Sequence, residues 1–180
     1  MFTFLKTALR GRVVTDSDPV HPLPVSSHFR GKPEHHSRQC IGCAACVQAC
    51  PSNALSVETD LSAGLLVWTF NLGRCIFCAR CEEVCPTAAI RLSPDYELAV
   101  WDKSALQQQA HFPLCYCRGC GQPFAVQKEV DYVMALIEKN GEDDIESRRE
   151  TFETCLTCRR QNSLLSGGHL WAERSLKGIF

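Results

Sequence analysis

The sequence predicts an α+β fold whose core is built twice, and three observations predict it. Thirteen of the 180 residues are cysteine, eight of these fall in two runs of identical spacing, and each run leads through a proline into a β-rich stretch. A shift of 35 positions lays Cys40, Cys43, Cys46, Cys50 and Pro51 onto Cys75, Cys78, Cys81, Cys85 and Pro86, and residues 40–57 match residues 75–92 at 8 of 18 positions. Self-similarity at a fixed shift is the mark of one structural unit used more than once. At 180 residues the chain holds one domain with generous extensions and has no room for two enzyme domains. Nineteen Lys and Arg against 20 Asp and Glu leave no global basic field, which argues against generic nucleic-acid binding.

The cysteines call for metal rather than disulfides. The N-terminal stretch MFTFLKTALRGRVV is broken by Lys6 and Arg10 and does not read as a secretory signal. No segment approaches the roughly 20 uncharged apolar residues needed to span a bilayer. A reducing compartment, an odd cysteine count and tight C-x-x-C spacing all favour metal ligation.

Residues 1–39 divide into an amphipathic helix and an extended arm. Phe2, Leu5 and Leu9 recur at helical spacing over residues 1–12, Gly11 can end the helix, and Lys6, Arg10 and Arg12 suit an anionic membrane surface or an acidic partner. The same helix could equally cover the chain's own core. Pro19, Pro22, Pro24 and Pro33 then predict an extended arm over residues 13–39, ordered only where something ties it down. His21, His28, His35 and His36 fall in this arm without a ligand pattern and are assigned no role.

Residues 40–110 form the duplicated core. The spacing C-x2-C-x2-C-x3-C-P, twice, is the bacterial ferredoxin run, in which three cysteines wrap one 4Fe–4S cubane and the fourth reaches the other cluster. Cluster one is therefore expected to take Cys40, Cys43, Cys46 and Cys85, and cluster two Cys75, Cys78, Cys81 and Cys50. Paired zinc knuckles, which draw two cysteines from each of two separate places, fit triplets poorly. Ile41, Ala44, Ala45, Val47, Ile76 and Phe77, between the ligands, supply a dry jacket. Pro51 and Pro86 are expected to start short helical turns. The strands that follow are expected to pair with Leu65–Phe70 and Glu97–Trp101, two β-rich runs, giving a small hairpin in each half.

Residues 111–160 carry Cys117-x-x-Cys120-Gly and Cys155-x-x-Cys158, two knuckles suited to one tetrahedral four-thiolate site. Structural zinc is favoured there over mononuclear iron, because closed thiolate sites commonly tie down short segments. Cys115 is left over and could replace Cys117. Val126, Val130, Val133, Met134 and Ile137 predict an amphipathic helix ending at Asn140-Gly141, with Met134 in the core; the charged run Glu142–Glu150 reads as a solvated loop or helix face. Residues 161–180 form a tail opening with Gly167-Gly168, in which Leu176, Ile179 and Phe180 could form a small apolar patch.

Phe29-Arg-Gly-Lys-Pro33, Gln39-Cys-Ile-Gly-Cys-Ala-Ala-Cys46, Cys75-Ile-Phe-Cys78, Cys81-Glu-Glu-Val-Cys-Pro-Thr-Ala-Ala89 and Pro123-Phe-Ala-Val-Gln-Lys128 together resemble the two-cluster ferredoxin subunits of membrane-bound hydrogenases and respiratory complex I. The resemblance implies an electron-transfer subunit held peripherally on the cytoplasmic side of the inner membrane. It would pass electrons from a formate dehydrogenase module toward a nickel-iron hydrogenase, with catalysis in partner subunits. The alternatives are a subunit of a quinone-reducing complex I relative, a diffusing ferredoxin, or a scaffolding module built on the C-terminal knuckles. Residues 40–101 carry six acids and three bases, a weak field for a carrier steered by charge. No G-x-G-x-x-G before a helix, no P-loop and no nucleophile–base pair marks the chain as an enzyme in its own right.

Overall fold

The structure is a computed structural model, and it describes residues 5–6, 8–9, 25–26, 28–141 and 145–165. Within the first repeat, Ala45–Ala49 forms a short helix, α1, which leads into strand β2, Leu55–Asp60; β1, Pro33–His35, precedes them. In the second repeat the equivalents are α2, Arg80–Glu83, and β4, Ile90–Leu92. Between the halves runs β3, Leu65–Asn71, and beyond them β5, Gln107–Tyr116, and β6, Pro123–Val126. Helices α3, Gln127–Lys139, and α4, Ile145–Phe152, follow.

The duplication extends to the backbone. Ala44 and Ala79, each immediately before its helix, both adopt left-handed φ, of 57° and 67°. Asn53 and Ala88 do so at 50° and 52°, and Gly42 and Phe77 at 75° and 54°. Each pair is separated by 35 residues, so the same three reversals wrap each half. Such a conformation costs an L-residue roughly 1–2 kcal/mol, and it persists where surrounding structure over-determines it. At Gly42 a side chain would be crowded, since a Cβ would lie 3.1 Å from both Val126 methyls, and its φ of +75° favours glycine; the C-terminal strands close against the first loop.

The two repeats find their strand partners in different places. β2 and β3 form the expected antiparallel hairpin, with Leu55 opposite Phe70 and Val57 opposite Trp68. Its turn is held by Asp60 Oδ1, which accepts from the Ser62 and Ala63 amides at 2.9 and 3.0 Å. β4, by contrast, pairs with β1 from the arm, and Glu97–Trp101 is not a strand. The expected second hairpin is thus corrected: β4 takes Pro33–His35 as its strand partner instead. Pro51 and Pro86 likewise begin turns, not helices; the helices lie earlier, on the cysteine runs themselves.

The arm is tied down backbone to backbone. Gly31 and Lys32 amides donate to the carbonyls of Ser93 and Asp95 at 3.1 and 2.6 Å, and the Ser93 amide returns a bond to Lys32 O at 3.0 Å. The approach is so close that a Cβ on Gly31 would meet Asp95 O and Ser93 O at 2.3 and 2.5 Å. Phe29 meets Tyr96 edge-on, with ring centroids 6.0 Å apart.

β5 crosses position 110 and joins the cluster-bearing core to the C-terminal segment. Residues Gln107–Pro113 pair with β3, and Leu114–Tyr116 pair with β6, giving the antiparallel order β2-β3-β5-β6. Pro113 sits where one pairing ends and the next begins, the position in an interior strand at which a missing N–H does least harm. Ala110 and Phe112 alternate inward beside Trp68, Phe70, Leu55 and Ile90, and Leu114 is buried in the same phase. Cys115, on the opposite face by simple alternation, packs in a second small core with Val130 and Met134 of α3, the helix expected there.

Residues 5–6 and 8–9 are helical with Leu5 and Leu9 exposed, while the rest of the helix expected over residues 1–12, residues 13–24 and 27 of the arm, and the tail residues Gly167, Gly168, Leu176, Ile179 and Phe180 lie outside the described residues. Among the described residues no helix is long and apolar enough to cross a membrane.

Gly31→Ala is expected to lower stability by about 1–3 kcal/mol, the usual range for forcing atoms into a packed site. The check is the denaturant midpoint of the metal-loaded protein, read by loss of its cluster absorbance.

Candidate metal centres

Each cysteine run places its first three thiols around a loop and sends its fourth across to the other half. One cavity is lined by Cys40, Cys43, Cys46 and Cys85 together with Ile41, Ala44, Ala45, Pro86 and Ile90. The other is lined by Cys50, Cys75, Cys78 and Cys81 with Pro33, Leu55, Phe70, Ile76, Phe77 and Leu92. Three members of each set come from one run and one from the other, the grouping that the crossed ligand rule anticipates.

Electrostatics inside the cavities follow from burial. Desolvation pushes the Cys40, Cys46 and Cys75 thiols up, and Cys81 up to about 12. Cys50 and Cys85 are also pushed up by burial, but the hydrogen bonds they accept outweigh it and leave both below the ordinary thiol value. The Ala54 amide donates to Cys50 Sγ at 3.3 Å and the Ala89 amide to Cys85 Sγ at 3.2 Å. Ser52 Oγ and Thr87 Oγ1 stand 3.6 and 3.8 Å from the same sulfurs, again 35 residues apart. The third cysteines, Cys46 on α1 and Cys81 on α2, lie on two helices that contact each other, and Cys46 is among the groups that push the Cys81 thiol up.

The C-terminal cysteines are gathered more tightly. The sulfurs of Cys117, Cys120, Cys155 and Cys158 all lie within 4.8 Å of one another, and Cys120 Sγ is 3.8 Å from Cys155 Sγ. A tetrahedral ion with metal–sulfur bonds of about 2.3 Å separates its ligands by about 3.8 Å along each edge. A cubane interposes a cage of iron and sulfide and holds its thiolates further apart, so this donor set fits a single ion.

Local backbone builds this group. Cys117-Arg-Gly-Cys120 turns tightly, closed by Gly121 N to Cys117 O at 2.9 Å, with Gly121 at φ +69°. Gly119 and Cys155 amides donate to Cys117 Sγ at 3.3 and 3.2 Å, holding its thiol well below the ordinary value; the neighbouring thiols push Cys158 up. Four thiols so close cannot all ionise unless a cation offsets their mutual repulsion. The second knuckle is fastened by Arg118, whose amide donates to Glu153 O at 3.0 Å and whose Nε meets Glu153 Oε2 at 2.5 Å. Cys115, which could have replaced Cys117, is buried against Val130 and Met134 and takes no place in this group.

Residues 39–89 match the model of the 4Fe-4S dicluster domain. Formate hydrogenlyase subunit 6 of Escherichia coli (strain K12) is 58% identical over 177 residues, covering 98% of this chain and 98% of that protein. The chain belongs to the formate hydrogenlyase subunit 6 family. It is therefore an iron–sulfur protein of the electron-transfer kind. NADH-quinone oxidoreductase subunit I 2 of Solibacter usitatus (strain Ellin6076) is 36% identical over 114 residues, 53% of this chain and 76% of that protein. Among solved structures, a chain of the archaeal membrane-bound sulfane sulfur reductase is 28% identical, with a TM-score of 0.40 over 56% of this chain and 55% of that one.

Sequence reasoning missed two residues of the first cavity. His35 and Trp68 also line it, stacked with ring centroids 4.0 Å apart at 22°. His35 lay in an arm where histidines were assigned nothing, and a 35-residue shift carries Trp68 to Lys103, so the repeat offered no signal for either.

Cys115→Ser is expected to destabilise the chain by about 1–3 kcal/mol, because its hydroxyl would be buried with no partner. Metal content should be unchanged from wild type, which elemental analysis would check.

Proposed function

We propose that this chain is a fixed electron relay in a membrane-associated hydrogenase complex of the formate hydrogenlyase type. It carries electrons from a formate dehydrogenase module toward a nickel-iron hydrogenase, and catalysis resides in the partner subunits. In this reading Cys40, Cys43, Cys46 and Cys85 hold cluster one, Cys75, Cys78, Cys81 and Cys50 hold cluster two, and Cys117, Cys120, Cys155 and Cys158 hold a structural zinc ion. The observation that carries it is the pair of cysteine-lined apolar cavities, each assembled from three residues of one run and one of the other. The 58% identity along nearly the whole chain supports the choice of complex, since the resemblance includes the segments outside the cluster domain.

Bound in these cavities, two 4Fe–4S clusters supply reversible one-electron chemistry at potentials set by their surroundings. The chain's own residues fix eight thiolates, exclude water with Ile41, Phe77, Leu55 and Ile90, and direct the Ala54 and Ala89 amides at sulfur. The C-terminal ion fastens two knuckles that lie 35 residues apart in the sequence, counted from Cys120 to Cys155. The complex is placed on the cytoplasmic face of the inner membrane, with this subunit attached peripherally.

The test is gentle anaerobic purification of the tagged protein from its native membranes, followed by mass-spectrometric identification of its companions. Hydrogenase and formate dehydrogenase subunits are the expected companions; quinone-reducing subunits would move the chain to a complex I relative, and recovery alone would favour a diffusing carrier. Cys43→Ser and Cys78→Ser should each damage one cluster and block electron flow, seen as loss of one signal in low-temperature electron paramagnetic resonance. Replacing Cys155 and Cys158 by serine should remove one zinc per chain and impair assembly. Normal assembly and turnover in that double variant would rule out a scaffolding role.

A further inference from the structure

The C-terminal thiolate group and the first cysteine run stand at two ends of one packed path. Cys117 and Cys120 follow directly on β5, and Cys155 and Cys158 follow α4, so an ion among their sulfurs fastens the end of that strand to the end of that helix. Two further bonds close the same junction: the Cys155 amide donates to Cys117 Sγ at 3.2 Å, and the Arg118 amide to Glu153 O at 3.0 Å. Helix α3 packs against both elements. Its Val130 and Met134 share one small core with Cys115 of β5 and Phe152 of α4. That core has three buried side chains, so packing alone holds α3 weakly and the junction beside it carries much of the restraint.

The start of α3 reaches the first run. The Lys128 ammonium donates to Ser37 O and Arg38 O, both at 2.8 Å. These carbonyls belong to the turn in which the Gln39 and Cys40 amides donate to His36 O at 3.0 and 3.1 Å, and Cys40 opens the run. Val126, immediately before α3, stands against Gly42 of the same loop. One helix start thus holds the first loop at two places. In the second run Phe77 takes the place of Gly42 and Ile76 is 61% exposed. Among the described residues no hydrogen bond reaches that run from β6 or α3.

From this geometry we infer that the C-terminal ion secures cluster one: it holds α3, Lys128 on α3 holds the turn before Cys40, and loss of the ion opens the first cysteine set while the second stays closed. Lys128 is a positioning residue, acting on Cys40 through the backbone carbonyls it binds. Three donors on one ammonium let it bridge two carbonyls at once. Because ligation free energy is folding free energy, a restraint on the loop strengthens the hold of every thiolate in it. The inference rests on the crossed ligand sets and the structural zinc ion proposed above.

The experiment is anaerobic alkylation of the full, metal-loaded chain with iodoacetamide, read cysteine by cysteine by mass spectrometry, with zinc and iron counted alongside. A thiolate bound to iron is shielded, so its labelling rate reports the opening of its own cluster. Lys128→Gln should keep the zinc yet label Cys40, Cys43, Cys46 and Cys85 roughly fivefold faster, the weight of about one net hydrogen bond. Cys75, Cys78, Cys81 and Cys50 should label as in wild type. Lys128→Arg, which keeps the charge and several donors, should restore the wild-type rate. Cys158→Ser should remove the zinc and speed the first set likewise, and adding Lys128→Gln to it should bring little more, because both cut one path. Met134→Ala, which loosens α3 between the two ends, should speed the first set with the zinc still bound. The inference is overturned if Cys158→Ser speeds both sets alike, or if the first set is unmoved in Cys158→Ser or in Lys128→Gln. A wild-type chain without zinc, or Cys85 labelling in step with the second set, would instead overturn the reading beneath it.

Discussion

Everything in this chain depends on the cost of burying thiolates. Desolvation drives the thiols of Cys40, Cys46, Cys75 and Cys81 away from ionisation, and four sulfurs within 4.8 Å repel one another in the C-terminal group. Left to themselves these sites would stay protonated and the loops around them would have little reason to close. A positively charged inorganic core reverses that balance, and the free energy of ligation becomes free energy of folding. The described protein core is small, with sixteen buried apolar side chains, and several of its partners are the ligand cysteines themselves. Metal and packing therefore cannot be separated: Cys46, Cys50, Cys81 and Cys85 lean on the same Trp68, Phe70 and Ile90 that hold the sheets together.

That constraint also explains which features were legible in the sequence. Ligand spacing is dictated by the geometry of the group being held, so both runs could be read directly, and so could the pairing of knuckles later in the chain. The left-handed residues could not. Of the six in the two repeats, Gly42 alone announces its conformation; Ala44, Asn53, Phe77, Ala79 and Ala88 adopt it because the ligands on either side demand a reversal. Local propensity is overruled here by a tertiary requirement. The helix of α3 was legible for the opposite reason, since its apolar face repeats at helical spacing and nothing competes with it.

Strand pairing was only half legible, and the cause is competition for edges. β-rich composition marks residues able to enter a sheet, but it does not say which edge is free. Glu97–Trp101 has the right residues, yet β4 is already paired with β1, which is locked there by Gly31, Lys32 and Ser93. Gln107–Tyr116 is rich in glutamine and carries Pro113, both poor advertisements for a strand, yet it is the longest in the fold. It succeeds because β3 offers an open edge for its first half and β6 for its last, with the proline at the change of partner.

Duplication followed by divergence leaves a fold whose symmetry is itself informative. Where the halves still agree, in the reversals and the amide–sulfur bonds, the shared task of ligation has held them together. Where they differ, the surrounding segments have intruded on one half only. β5, β6 and α3 close over the first loop, forcing glycine at position 42 and bringing Lys128 beside the first run. Among the described residues the second loop meets no such cover: its equivalent position holds Phe77, and Ile76 is 61% exposed. By packing on one half of a symmetric core, the C-terminal segment gives the two loops unequal surroundings, so a core built twice presents two different cavities.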